Sequence, residues 1–206
     1  MIPVMGAPNA TSAAPSPAAG VREARRLETR ARLFDAALAE ISRRGFADAD
    51  VSAIAAAAGV VRGTFYFHFP TKEHVLIELE RNEEQRIVGE IGTAKGNLES
   101  VLARLVQHVL NAERRLGEVV FRAMLGLHFS PARPVEDDVT AHPLAEFLVA
   151  VIRRAQKAGH VSLRQDAEEL ATFFLTGLFA LLAIGAHDAA LLRRYVTTTV
   201  KGMEKR

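Results

Sequence analysis

Residues 51–72, VSAIAAAAGVVRGTFYFHFPTK, narrow the fold more than any other stretch of this 206-residue chain. Two short helix-compatible runs, about 51–58 and 62–68, are separated by Gly59 and closed by Pro70. Ala55 stands four residues before Gly59, and Phe65 six after it. Two helices crossing at about 90 to 120° need a small residue where the backbones approach and a Gly where φ turns positive. They also need a large apolar side chain on the second helix to seal the joint. The spacing meets all three needs and predicts a helix-turn-helix, a unit whose second helix can enter the major groove of a duplex.

Upstream, Leu27, Ala31, Phe34, Leu38 and Ile41 recur at intervals of four and three, which predicts an amphipathic helix over about 22–44. Gly45 ends it, and Arg43 and Arg44 suit the negative end of its dipole. Downstream, Thr71 is placed to cap a long helix with Glu73 in its first turn. Val75, Leu76, Leu79, Ile87, Val88 and Ile91 give that helix an apolar face, and Glu83 and Glu84 read as its solvated one. Helical periodicity returns near 98–127, 143–158, 166–186 and 188–203. The one long break, 130–142, holds two prolines and the run Glu136, Asp137, Asp138. Sustained period-two alternation is absent, as are GxGxxG and GxxxxGK[ST] spacings. The prediction is an all-α fold, with a three-helix unit over 21–72 and a larger helical region over 73–206. Residues 1–20 hold six Ala and four Pro without a charge, and are expected to form a disordered extension.

Several chemistries drop out. With no cysteine there is no disulfide framework, thiolate metal site or cysteine nucleophile. The seven His form no HxxxH or HExxH pair and GxSxG is missing, so no metal, cofactor or enzymatic activity is expected. Residues 170–187 are nearly charge-free, but two Gly, two Thr and the flanking acids Glu168, Glu169 and Asp188 favour a buried helix over a membrane span. Residues 1–20 lack the basic and apolar regions of a secretory signal, so a cytoplasmic location is expected. Residues 1–72 carry 9 Lys+Arg against 6 Asp+Glu, while the rest carry 17 against 18; the basic excess at the front hints at an anionic partner.

From Arg32 to Leu76 the chain resembles the N-terminal domain of the TetR/AcrR transcriptional regulators. The run Gly59, Val60, Val61, Arg62, Gly63, Thr64, Phe65, Tyr66, Phe67, His68, Phe69, Pro70, Thr71, Lys72, Glu73 follows the family signature. The resemblance implies that Thr64, Tyr66, His68 and Lys72 hold DNA phosphates, and that Arg62, Gly63 and Phe67 face the groove floor. A guanidinium at Arg62 suits bidentate pairing with guanine, and Ser52 is a further candidate for a backbone or base contact. Arg22, Arg25 and Arg26 are placed to track the duplex as a basic arm. Phe65 and Phe69, four apart, are expected in the core. Two positions depart from the pattern. Val61 stands where a capping Ser or Thr is usual, and Asp50 where Thr is common, although Asp still caps.

The same resemblance implies a C-terminal ligand-binding and dimerisation domain, with the last two long helices pairing across a twofold axis. Gly177, Ala180 and Ala183 are small enough for close helix approach. Phe121, Met124, Leu125, His128, Phe147 and Phe174 are the expected pocket residues, with Phe129 and Phe173 nearby and His128 as a polar handle. The partners implied are double-stranded DNA with a palindromic operator, a small hydrophobic effector and a second copy of the chain. A helical small-molecule binder that has lost DNA binding, and a transcriptional activator, are the alternatives.

Overall fold

The computed structural model describes residues 17–93 and 96–204. Among these, nine α-helices follow in order: α1 (Pro17–Arg44), α2 (Val51–Ala57), α3 (Arg62–His68), α4 (Glu73–Ile91), α5 (Leu98–Leu116), α6 (Glu118–Leu127), α7 (Pro143–Lys157), α8 (Ala167–Ala183) and α9 (Ala189–Met203). Pairing outside helices amounts to a single bridge, Val161 to Glu204, among the described residues. Among the described residues no helix is long and apolar enough to cross a membrane.

Of the expected extension, residues 1–16 lie outside the described residues, and α1 already begins at Pro17, five residues ahead of the expected start. A proline is tolerated there because the first helical N–H groups have no intrahelical acceptor. The buried stripe of α1 is Leu33, Ala37 and Ile41, flanked by half-buried Phe34 and Leu38, while Leu27 and Ala31 are exposed. Its N-terminal part thus runs beyond the core that its middle packs on. Gly45, at φ 80°, donates to Ile41 O at 2.8 Å and ends the helix as expected.

Two apolar cores result. Leu33, Ala37, Val51, Ile54, Ala58, Phe65, Phe69 and Val75 close the N-terminal unit. A larger core draws on α4 to α9, and Phe34 and Leu38 pack against both. α4 opens without a side-chain cap, because the Thr71 hydroxyl meets His74 Nδ1 at 3.0 Å instead. The single periodic stretch expected over 98–127 is two helices: Gly117, at φ 77°, takes a conformation disfavoured for other residues and turns the chain between α5 and α6. Asp166 and Asp188 cap α8 and α9, the carboxylate of Asp166 accepting from Glu168 N at 2.8 Å and that of Asp188 from Leu191 N at 2.7 Å. Gly177 on α8 is required within the chain, since a Cβ there lies 2.4 Å from Tyr195 Oη on α9.

Candidate nucleic-acid interface and the adjoining cavity

The joint between α2 and α3 forms as the spacing requires. Asp50 caps α2, its carboxylate accepting from Ser52 N at 2.9 Å. Gly59 takes φ 70°, and Val60 N reaches back to Ala55 O at 2.9 Å, which brings the chain tightly around buried Ala55. Phe65 and Phe69 are fully buried, with ring centroids 5.7 Å apart, and seal α3 against α1. Val61 is the N-cap of α3 and makes no side-chain cap bond, as its lack of an acceptor dictates.

With one face of α3 fixed inward, its periodicity turns the other outward. Arg62, Gly63, Tyr66 and Phe67 share that face and are all exposed, as is Ser52 at the start of α2; Thr64 is half-buried. Phe67 is 74% exposed and Tyr66 43%. Arg62 Nη2 donates to Tyr66 Oη at 3.3 Å, and its guanidinium lies 5.8 Å from the Tyr66 ring. An arginine, a phenol and an aromatic ring therefore project together from a buried scaffold.

Two residues expected on phosphates sit elsewhere. His68 is buried, because its position three after Phe65 and next to Phe69 falls on the inward face. Burial, with Arg30 and Arg26 nearby, holds its imidazole below the usual pKa and so favours the neutral form. Lys72 turns its ammonium to the loop between α1 and α2, donating to Phe46 O at 3.1 Å, Ala47 O at 3.2 Å and Ala49 O at 2.9 Å. Arg30 was not singled out in the sequence, yet it joins three elements. It donates to His68 O and Glu78 and lies 4.2 Å over the Phe69 ring. Of the basic arm, Arg26 is exposed and paired with Glu23 at 2.7 Å.

Behind this unit, α4, α5, α6, α7 and α8 enclose two small chambers that share Glu84 and Phe179. Phe121, Met124 and Leu125 line the apolar one, of about 20 Å³. His128 lines the other, of about 60 Å³, with Thr140, His142, Thr172 and Thr176. Phe147 and Phe174 do not line these two chambers; Phe147 is half-buried, and Phe174 is fully buried 5.4 Å from the Tyr195 ring. Phe129 and Phe173 are exposed.

The walls also carry charge that the sequence did not announce. Glu83 and Glu84, read as a solvated face, are buried together with Glu80. Each carboxylate has a partner brought from elsewhere in the chain. Arg115 Nη2 lies 2.6 Å from Glu83 Oε2, Leu144 N donates to Glu84 Oε2 at 3.3 Å, and Arg133 Nη2 lies 2.9 Å from Glu80 Oε2. Asp137, from the connection between α6 and α7, accepts from Arg81 at 2.9 Å and Arg133 at 2.5 Å. Burial raises the Asp137 pKa, but the bonds from Arg81 and His142 and the charge of Arg133 outweigh it and hold the carboxyl at about 2. Burial works the other way on His142, and there Glu84 and Asp137 prevail and raise its pKa. Glu80, Asp137 and His142 bring ligand-capable atoms to within 4.8 Å of one another. Motif spacing is blind to such a set, because it is assembled from α4 and a distant loop.

Residues 33–79 match the family described as bacterial regulatory proteins, tetR family. The chain is 36% identical over 105 residues to the HTH-type transcriptional regulator AcrR of Shigella flexneri; the match spans 46% of this chain and about half, 48%, of that protein. It is 29% identical over 183 residues to the uncharacterized HTH-type transcriptional regulator YdgC of Bacillus subtilis strain 168, spanning 81% of this chain and 91% of that one. Thermus thermophilus FadR, a TetR-family transcriptional repressor solved in complex with lauroyl-CoA, superposes with a TM-score of 0.63 at 23% identity, covering 86% of this chain and 96% of that chain. At that identity the likeness is one of fold.

Proposed function

We propose that this chain, whose residues 33–79 match the tetR family of bacterial regulatory proteins, is a sequence-specific DNA-binding transcriptional regulator, a homodimeric repressor released from a palindromic operator by a small ligand. The observation that carries this reading is the outward face of α3, where Arg62, Tyr66 and Phe67 are exposed on a helix anchored by fully buried Phe65 and Phe69. In the bound state Arg62 reads a base edge, Phe67 meets an apolar edge such as a thymine methyl, and Thr64 and Tyr66 hold phosphates. Gly63 lets the backbone of α3 approach the groove, and Ser52 contacts the flank.

Dimerisation is supported by the solvent side of α8. Phe173 and Ile184 are 62% and 80% exposed, with half-buried Ala180 between them, so the stripe offers apolar area. A second copy related by a twofold axis presents two α3 helices to one side of a duplex.

Ligand response is supported by the position of α4. It carries Glu78 against Arg30 of α1 and Glu80, Glu83 and Glu84 into the chamber walls, so one rigid element touches both units. The chambers are far below the ~300 to 1,000 Å³ of a drug-sized site. A ligand with an apolar body and a polar end enters by widening the chambers that α4 lines, and the differential affinity for the widened state supplies the coupling, about 1 to 3 kcal/mol. The Thermus thermophilus FadR repressor, with lauroyl-CoA bound, has the same fold.

The uncapped start of α3 favours one rival, a helical small-molecule binder whose reading head has decayed. Titration of the purified protein against labelled duplex DNA separates the two. The repressor reading expects salt-sensitive binding that an Arg62→Ala, Tyr66→Ala double variant loses; the rival expects no difference between the proteins.

A further inference from the structure

The buried polar group beside the cavity holds more donors than its own pairing explains. Glu80 Oε1 and His128 Nε2 are cut off from solvent and abut each other, yet neither is in a hydrogen bond of normal geometry. Arg133 Nη2 occupies one oxygen of each carboxylate, Glu80 Oε2 at 2.9 Å and Asp137 Oδ2 at 2.5 Å, while Glu80 Oε1 meets His128 Nε2 and Asp137 Oδ1 accepts from Arg81 at 2.9 Å. His142 Nε2 points at Asp137 Oδ1 from 3.1 Å, and its Nδ1 faces Glu84 Oε1 at 3.3 Å. With Glu84 holding Nδ1–H, a metal ion that replaces the hydrogen between Nε2 and Asp137 finds the ring already oriented, the support found behind metal-bound histidines, and ligating carboxylates are themselves hydrogen-bonded from outside.

We propose that Glu80, Asp137 and His142 form a binding site for a divalent first-row transition metal ion, with His128 as the adjoining fourth donor. Two imidazoles and two carboxylates are a nitrogen and oxygen set suited to Zn²⁺ and its neighbours, and a divalent ion brings the charge of that set to zero. The ion takes the place of the hydrogens between the two imidazoles and the carboxylate oxygens they face, Glu80 Oε1 and Asp137 Oδ1. Arg81 lies 2.9 Å from Asp137 Oδ1, and with Arg133 it opposes a second cation, so these guanidiniums weaken the site relative to the bare donors. His128 and His142 also line the chamber of about 60 Å³, which leaves the ion an open side toward water or an oxygen donor of the effector. The site stands on these contacts alone and does not depend on DNA binding.

The test uses the full chain after dialysis against chelator, titrated with Zn²⁺ by calorimetry and with Co²⁺ by visible absorption. One ion per chain is expected, with a Co²⁺ spectrum of a nitrogen- and oxygen-ligated site and a Tm that rises with Zn²⁺. His142→Gln should abolish the Co²⁺ spectrum. Glu84→Gln, which changes the support behind His142 and keeps an oxygen for Leu144 N, should weaken binding by about 10 to 100-fold. Circular dichroism of each variant reports folding, and should His142→Gln not fold, Glu84→Gln carries the comparison. Failure of the wild-type protein to take up either ion overturns the proposal, as does binding that is unchanged in the folded variants. Neither result bears on the duplex-binding experiment above.

Discussion

The ammonium of Lys72 donates to Ala49 O at 2.9 Å, and to two further carbonyls of the same loop. A residue that resembles a phosphate clamp by position thus ties the start of α4 to the connection between α1 and α2. Hydrogen bonds from a charged donor are each worth about 1.5 to 3 kcal/mol. Lys72→Ala should lower stability by about 1 to 3 kcal/mol, read as a shift in the urea midpoint, with the salt dependence of duplex binding unchanged. A salt slope reduced in magnitude by about 1, with stability intact, returns Lys72 to the phosphates.

Val61 leaves the first N–H groups of α3 without a side-chain acceptor. Val61→Ser supplies one, and caps of this kind contribute about 0.5 to 2 kcal/mol. The substitution should raise Tm and slow amide exchange across α3. If both stay as they are, fraying of α3 is not the consequence of the missing cap.

Arg62 is the exposed guanidinium at the first turn of α3, steadied by the Tyr66 hydroxyl at 3.3 Å. As a base reader it contributes about 1 to 3 kcal/mol at one base pair per half-site. Arg62→Ala should therefore weaken binding to the selected operator and leave binding to random duplex nearly untouched. Equal losses on both would make it a phosphate contact.

Gly177 and Tyr195 fit α8 to α9 so closely that a Cβ at 177 meets the phenol oxygen at 2.4 Å, and the same oxygen donates to Phe174 O at 2.6 Å. Gly177→Ala should cost about 1 to 3 kcal/mol by overpacking. Adding Tyr195→Phe removes the obstructing atom, so the double variant should be less destabilised than the sum of the two single ones. Strict additivity in urea unfolding would show that the two residues do not compete for this space.

Phe173 and Ile184 form the exposed apolar stripe proposed as the twofold contact. Phe173→Glu with Ile184→Glu should convert a dimer to a folded monomer in sedimentation velocity, with loss of operator affinity. A dimer that persists places the contact elsewhere.

The N-terminal unit was legible because its determinants are local. Ala55, Gly59, Phe65 and Phe69 set the turn and the core through spacing alone, and the outward face of Arg62, Tyr66 and Phe67 follows from the inward one. The same period puts His68 inside, so its burial was readable from phase; the contacts of Lys72 were not, because its acceptors are backbone carbonyls, which leave no mark on sequence. Gly117 was likewise readable as a break between α5 and α6. The buried carboxylates of α4 were beyond reach, since Glu80, Glu83 and Glu84 look like a polar face until Arg133, Arg115 and His142 arrive from at least 30 residues away. The pocket suffered in the same way: Phe121, Met124, Leu125 and His128 meet a chamber, while Phe174 is used by Tyr195.

The central claim is that the exposed face of α3 reads DNA as one of a symmetric pair. Its most direct test is selection of bound sequences from a random duplex pool, with the wild-type protein and an Arg62→Ala, Tyr66→Ala double variant in parallel. The account predicts that the wild type enriches two inverted half-sites about one helical turn apart, or a multiple of that, and that the folded variant enriches nothing. No enrichment by a folded wild-type dimer at low salt, or the same motif recovered by both proteins, would contradict it.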